Sequence, residues 1–223
     1  STSATGPLFR SYKGVPSPTR WFPRLPDLVA NVNSTWEELP GVARTMKFRV
    51  TVRDNHDGAG CTEEDDVVIT VSGAAGPFVV SEPNTNVLWY VGETKTVTWN
   101  VAGTNAAPVN CANVKILLST DGGFTYPITL LNSTPNDGSA DVVVPNNISN
   151  TCRVMVLSVG NVFFDISNVN FRIEQPPVPT FVMTASPESL EGCPDDPETI
   201  TLNLAALAGF NSPVDIAVAG APA

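Results

Sequence analysis

The chain has 223 residues, 20 of them Pro and 16 Gly, with a formal charge of −10, a length suited to one or two domains. So acidic a field repels a polyanionic duplex, which argues against a nucleic-acid partner, and no apolar run approaches the roughly 20 residues of a transmembrane helix. Prolines and glycines leave no room for a long amphipathic helix, while Val and Thr recur in short alternating runs, the composition of an all-β protein built of sandwiches.

Residue 1 opens directly into polar STSATG, so no signal peptide is expected in this sequence, and the chain reads as an excised piece of something larger. The acidic, Thr- and Asn-rich composition fits a secreted or surface-exposed bacterial protein; the plainer reading is solubility alone.

Residues 1–40 are irregular. Phe9, Tyr12, Trp21, Phe22 and Trp36 are interleaved with prolines and with Arg10, Lys13, Arg20 and Arg24. Such a mixture admits contact with a carbohydrate or nucleic acid, with Trp21 and Trp36 as the candidate contact residues. The competing reading is a long loop whose aromatics plug the open edge of a sandwich. Two strands follow, at 47–53 with Phe48, Val50 and Val52 alternating, and at 67–71 with Val67, Ile69 and Val71. Between them lies an acidic turn, DNHDGAGCTEEDD. Two strands do not make a sandwich, so residues 1–73 are expected to be the C-terminal part of a first β domain, resembling the last hairpin of cadherin-like extracellular modules.

After a small-residue linker at 72–76, residues 77–174 read as a complete unit. Strands are expected near 78–82, 86–90, 94–101, 113–119, 126–131, 140–144, 152–159 and 168–173, with a short apolar piece at 162–166. That number suits an Ig-like or fibronectin-like sandwich. A stiff Pro-rich linker at 175–179 leads to residues 180–223. There Phe181/Met183/Ala185, Ile200/Leu202/Leu204 and Val214/Ile216/Val218 predict three strands of a further sandwich that is cut short.

The most specific short motif lies at the centre. Ser119-Thr120-Asp121-Gly122-Gly123-Phe124-Thr125-Tyr126 matches the Asp-box, S-x-D-x-G-x-T-aromatic, at Ser119, Asp121, Gly123, Thr125 and Tyr126. Asp is expected to cap turn N–H groups, Gly to take the turn dihedrals and the aromatic to pack beneath the hairpin. The role is structural rather than chemical.

None of the four cysteines is in a C-x-x-C arrangement, which leaves zinc knuckles and thioredoxin-type sites unsupported. Cys111 and Cys152, both within the central unit and 41 residues apart, predict a disulfide contributing about 4 kcal/mol by loop entropy, against the alternative of two buried thiols. Cys61 and Cys193 are expected to have lost partners upstream and downstream, or to be free. Asp54, Asn55, Asp57 and the run from Glu63 to Asp66 crowd carboxylates beside a strand end. They predict a structural calcium site with Asp54, Asp57 and Asp66 as ligands, or else a solvated acidic turn, since the EF-hand spacing is absent.

SPTRWFPRL, TWEELP, RTMKFRVTVRDN, WNVAGTNAAPVN, ILLSTDGG, PNDG and NVFFDISNVNFRI together resemble the region that follows the catalytic domain in secreted reprolysin-like zinc metallopeptidases of Bacteroidetes-type bacteria. The tail from SPESLEGCPDD onward resembles the Ig-like repeat that follows in such proteins. The resemblance implies a secreted multidomain parent with a type IX sorting domain, and a non-catalytic accessory role for this region as a spacer or as a binder of protein substrate. Zinc would belong to the catalytic domain, which this sequence does not include: His56 is the only histidine and no HExxH occurs. The alternative is a carbohydrate-binding or cell-surface adhesion module. A hydrolytic activity of the chain's own has only His56 to draw on, without a GxSxG elbow.

Overall fold

Alternating apolar residues become strands almost throughout. The computed structural model describes residues 1–13, 17, 19–34, 36–54, 56–186 and 199–217. Among them helix α1 (Leu25–Val29) precedes a hairpin of β1 (Arg44–Arg53) and β2 (Thr62–Val71). Then come β3 (Val79–Glu82), β4 (Leu88–Tyr90), β5 (Thr94–Asn100), β6 (Asn113–Ser119), β7 (Ile128–Pro135) and β8 (Ser139–Val143). The remaining strands are β9 (Ser149–Ser158), β10 (Phe164–Ile166), β11 (Phe171–Glu174), β12 (Thr180–Ser186) and β13 (Thr201–Leu207). The chain is an all-β, sandwich-like protein.

The central sandwich faces a three-stranded sheet, β3-β5-β8, with a six-stranded one, β4-β11-β9-β6-β7 with β10 on β9. Val80, Val97, Trp99 and Val142 point inward from the first sheet, and Val114, Ile116, Leu118, Val154, Val156, Phe171 and Ile173 from the second. All are buried, each contributing about 1.5–3 kcal/mol of apolar transfer. Trp89 and Phe171 meet at 4.5 Å between ring centroids and fill the end of this core.

β9 is buried on both faces. Met155 and Arg153, pointing away from the sandwich core, are covered as well. Above that outer face lies the N-terminal segment: the Trp21 ring meets Phe164 edge-on at 4.7 Å, and Asn31 Nδ2 donates to the Asn168 carbonyl at 2.8 Å. The aromatics of residues 1–40 therefore act chiefly as plugs. Phe9 and Phe22 do the same for the hairpin, packing on Phe48 at 5.8 and 5.0 Å. They cover only its near half; Val50 and Val52 remain 63% and 64% exposed.

Two expectations are corrected. β2 begins at Thr62, so Glu63, Glu64, Asp65 and Asp66 belong to a strand and not to a turn. The reason is cross-strand compensation: Arg49 lies opposite Asp66 and binds it with Nε and Nη2 at 2.7 and 2.9 Å, while Nη1 reaches Glu64 at 2.5 Å. The third strand expected from Val214 and Ile216 does not form within residues 211–217, which have no ladder partner there; Val218 lies outside the described residues. The other strands fall within a few residues of expectation.

Candidate functional site

Residues 6–11 and residues 44–49 of β1 line a cleft of about 390 Å³, to which Arg20 and Phe22 also contribute. Its floor is aromatic, with Phe9, Phe22 and Phe48 in mutual contact. Its rim carries five cations: Arg10, Arg20, Arg44, Lys47 and Arg49.

These cations are differently engaged. Arg20 pairs with the buried carboxylate of Glu37, whose other oxygen accepts the Arg24 backbone N–H at 2.8 Å. The Arg20 guanidinium also sits over the rings of Tyr12 and Phe22 at 4.6 and 4.8 Å, and its burial draws its pKa down. Arg44 donates to the carbonyls of Ser3 at 2.9 Å and Gly6 at 2.6 Å, which fixes the far wall. Arg49 is held by Asp66 and Glu64, and the bond from Arg49 keeps the Asp66 carboxyl below the usual carboxylate range. Arg10 stacks over Tyr12 and Trp36 at 4.8 and 5.3 Å. Among the described residues, Arg10 and Lys47 have no carboxylate within ion-pair distance. They are the cations left for a ligand.

Sequence reasoning missed this cleft, although a signal was present. Eight of the 12 Lys and Arg lie in residues 1–53 against three acids, so that part is net +5 and the remainder net −15. Averaging the charge over the chain concealed the basic end.

The two candidate glycan residues differ in exposure. Trp21 is packed against Phe164, whereas Trp36 is 60% exposed.

Asp66 lies apart from the other expected calcium ligands. Asp54 Oδ1 accepts the backbone N–H groups of His56 and Cys61, both at 3.1 Å, and so caps its own turn. Asp66 pairs with Arg49, four residues and so about 13 Å along β2 from Thr62, and farther still from the hairpin tip. Asp57 is at the exposed tip, and Asn55 lies outside the described residues. Among the described residues no group of three His, Cys, Asp or Glu side chains converges to hold a metal ion.

The Asp-box forms as read. Asp121 Oδ1 accepts the N–H groups of Phe124 and Thr125, both at 3.0 Å, and Oδ2 accepts the Thr125 hydroxyl at 2.7 Å. Ser119 Oγ donates to Asp121 at 2.7 Å and accepts the Gly123 N–H at 2.8 Å. Gly123 is required twice over: its φ is +101°, and a Cβ there would lie 3.0–3.2 Å from Val29, Arg153 and the Tyr126 hydroxyl. Desolvation opposes ionisation of Asp121, but these hydrogen bonds outweigh it and hold the carboxyl at about 2. The stability it confers is present above the ordinary Asp value near 4 and is lost as pH falls toward 2. Asp121→Ala should therefore cost about 1–2 kcal/mol at pH 7, read as a lowered urea midpoint, and an unchanged midpoint would contradict the capping role.

Asp165 behaves in the opposite sense. Its Oδ2 accepts the Val80 N–H at 2.7 Å and so ties β10 to β3 across the sandwich. Burial pushes its carboxyl up to about 6, against the pull of the Val80 and Ile166 N–H groups. The native state thus holds this proton more tightly than the unfolded chain, and the contribution is full below about 4 and lost as pH rises through 6. Asp165→Asn keeps an acceptor without the charge. It should flatten the stability profile between pH 4 and 6 and leave the protein more stable at pH 7; an unchanged profile by thermal melts would contradict this.

The Cys111–Cys152 disulfide is not formed; both are buried free thiols. Cys111 Sγ lies 3.7 Å from the Val159 carbonyl, just past the end of β9, whereas Cys152 is near the start of that strand and bonds the Ser149 carbonyl at 3.6 Å. Seven residues of strand, about 23 Å, separate the two positions. Burial raises the Cys152 thiol to about 11, so it is inert in the folded protein. Cys61 is exposed, and Cys193 lies outside the described residues. A Cys61→Ser, Cys193→Ser protein should titrate two thiols once denatured without reductant; none would restore the disulfide.

No protein-family model matches this chain, and no curated protein sequence matches it. No helix among the described residues is long and apolar enough to cross a membrane.

Proposed function

We propose that this chain is a non-catalytic binding and spacing region of a larger secreted or cell-surface protein, and that it takes an anionic ligand in the cleft between residues 6–11 and β1. The observation that carries this reading is the gathering of five cations around one aromatic-floored cleft in a chain of net charge −10. Clefts of this volume suit a small ligand or a few residues of a larger one. The resemblance of the 99–173 stretch to the region following the catalytic domain of reprolysin-like metallopeptidases supports an accessory role. In that setting the cleft would hold a protein substrate for the parent enzyme. Extracellular location follows from the same resemblance and is part of the proposal.

The test is fluorescence anisotropy with a labelled acidic peptide. Binding should appear at low ionic strength, weaken as salt screens the rim, and fall at least tenfold in an Arg10→Glu, Lys47→Glu protein. Among the described residues neither side chain has an ion pair to lose, so the fold should survive. Absence of binding by any anion at low salt would overturn the reading.

A second reading, glycan contact, has the exposed Trp36 in its favour, its ring faced by the Arg10 guanidinium. Retention on neutral glycans that Trp36→Ala abolishes would favour it over the anionic ligand.

A further inference from the structure

We propose that the cleft takes its ligand as a β-strand: an extended acidic peptide that pairs with the open edge of β1. This rests on the anion-binding reading and specifies both partner and mode.

Among the described residues β1 pairs with β2 alone. In an antiparallel ladder, opposed residues alternate between pairs that exchange hydrogen bonds and pairs that do not. The Asp54 N–H donates to the Cys61 carbonyl, one step beyond the Arg53–Thr62 pair, and this fixes the phase. Residues 44, 46, 48, 50 and 52 therefore turn their backbone groups toward β2. Thr45, Lys47, Arg49 and Thr51 turn theirs outward, and none of these four has a backbone hydrogen bond elsewhere among the described residues.

The cleft lies along that same edge. It is lined by every residue from 44 to 49, odd and even alike, as an edge is and one face of a strand is not. The opposite wall stands off instead of closing the ladder. Its Gly6 carbonyl is taken by Arg44, which also holds the Ser3 carbonyl just before it, and the Leu8 carbonyl accepts the Glu38 N–H at 3.1 Å. From Arg44 to Arg49 the edge runs about 17 Å, room for a six-residue strand.

Charge selects the occupant. Lys47 lies on the pairing edge and Arg10 on the facing wall, both without a carboxylate partner among the described residues, so an incoming strand with acidic side chains gains where a basic one is repelled. The same cations discourage β1 from pairing with a second copy of itself. A sulfated or uronic polysaccharide would satisfy the charges but leave the outward N–H and C=O groups unused, which is why the peptide is favoured.

The experiment uses the whole chain, a labelled hexapeptide of alternating Glu and Val, and two versions of that peptide N-methylated at one or the other set of alternate amides. One methylated version should bind at least tenfold more weakly and the other nearly as well as the parent, because a pairing strand offers only one set of amides to the edge. Thr45→Pro removes an outward N–H at an edge position, where a strand tolerates proline, and leaves every charge in the cleft. It should weaken the parent peptide by a similar factor, with the circular dichroism spectrum unchanged. If Thr45→Pro disturbs the fold, the two methylated peptides against the unaltered protein still decide. Equal binding of all three peptides, or tighter binding of a sulfated oligosaccharide, would overturn strand addition and leave the anion-binding reading intact. No binding by any of these anions would overturn both.

Discussion

Asn136→Ala is expected to cost about 3–5 kcal/mol of stability, as much as deleting a large core side chain. The side chain is only 2% exposed and lies just past the end of β7, where a turn leads to β8. Its Oδ1 accepts the Trp99 indole N–H at 2.9 Å, and its Nδ2 donates to Thr104 Oγ1 at 3.0 Å and to the Cys111 carbonyl at 3.1 Å. The amide can point only this way, because an indole N–H only donates and a carbonyl only accepts. Its own N–H donates to Ala112 and its carbonyl accepts from Asn105 Nδ2, so the residue is pinned at both ends. One amide thereby joins β5 of the three-stranded sheet to the loop entering β6 of the other. Truncation leaves the buried indole N–H and the Cys111 carbonyl unpartnered, each costing about 1–3 kcal/mol, besides the cavity. Asn136→Asp separates the network from simple volume. It has the right shape but sets an oxygen against the Cys111 carbonyl, and should be at least as damaging at pH 7. Urea unfolding of both variants checks this; a loss under about 1 kcal/mol in either would contradict it.

Asn136 also marks where the sequence stops being legible. In PNDG it reads as a turn residue, and nothing nearby announces that it closes a network reaching Trp99, 37 residues earlier. The Asp-box was readable for the converse reason: its hydrogen bonds fall within residues 119–125, so the spacing alone specifies them. A strand's fixed period made Val97, Trp99 and Val101 of one strand and Val114, Ile116 and Leu118 of the next legible as inward sets; all are buried but Val101, which is half-buried against the same core. The period says nothing about which end of one strand meets which end of another. That is how Cys111 and Cys152, each placed near a strand, came out at opposite ends of β9. The acidic run from Glu63 to Asp66 failed as a turn because its compensating cation, Arg49, is 15 residues from Glu64 and 17 from Asp66. The cleft between residues 6–11 and β1 depends on Arg44 reaching Ser3 and Gly6, contacts between two segments that each look like ordinary surface.

Gly92→Ala is the other large effect, and it should detach the C-terminal hairpin from the sandwich. Gly92 lies in the turn between β4 and β5 with φ +86°, its N–H donating to the Val144 carbonyl at 2.9 Å. A Cβ on it would lie 2.2 Å from Val182 Cγ2 on β12 and 3.1 Å from Leu207 Cδ1 on β13. Leu207 is 4% exposed and belongs to the same apolar cluster as Trp89 and Val91, so the hairpin docks where the glycine leaves room. An alanine there meets backbone strain of about 1–2 kcal/mol and overpacking of about 1–3 kcal/mol together. Gly160→Ala supplies the control: its φ is +72° with nothing within 4 Å of the added carbon, so it carries the strain without the clash. If docking depends on Gly92, the Gly92 variant should melt lower than the Gly160 variant. It should also be cut by protease beyond residue 179 much faster, while the sandwich resists. Equal melting and equal cleavage of the two variants would mean that strain alone acts at Gly92 and that the hairpin is not held by this contact.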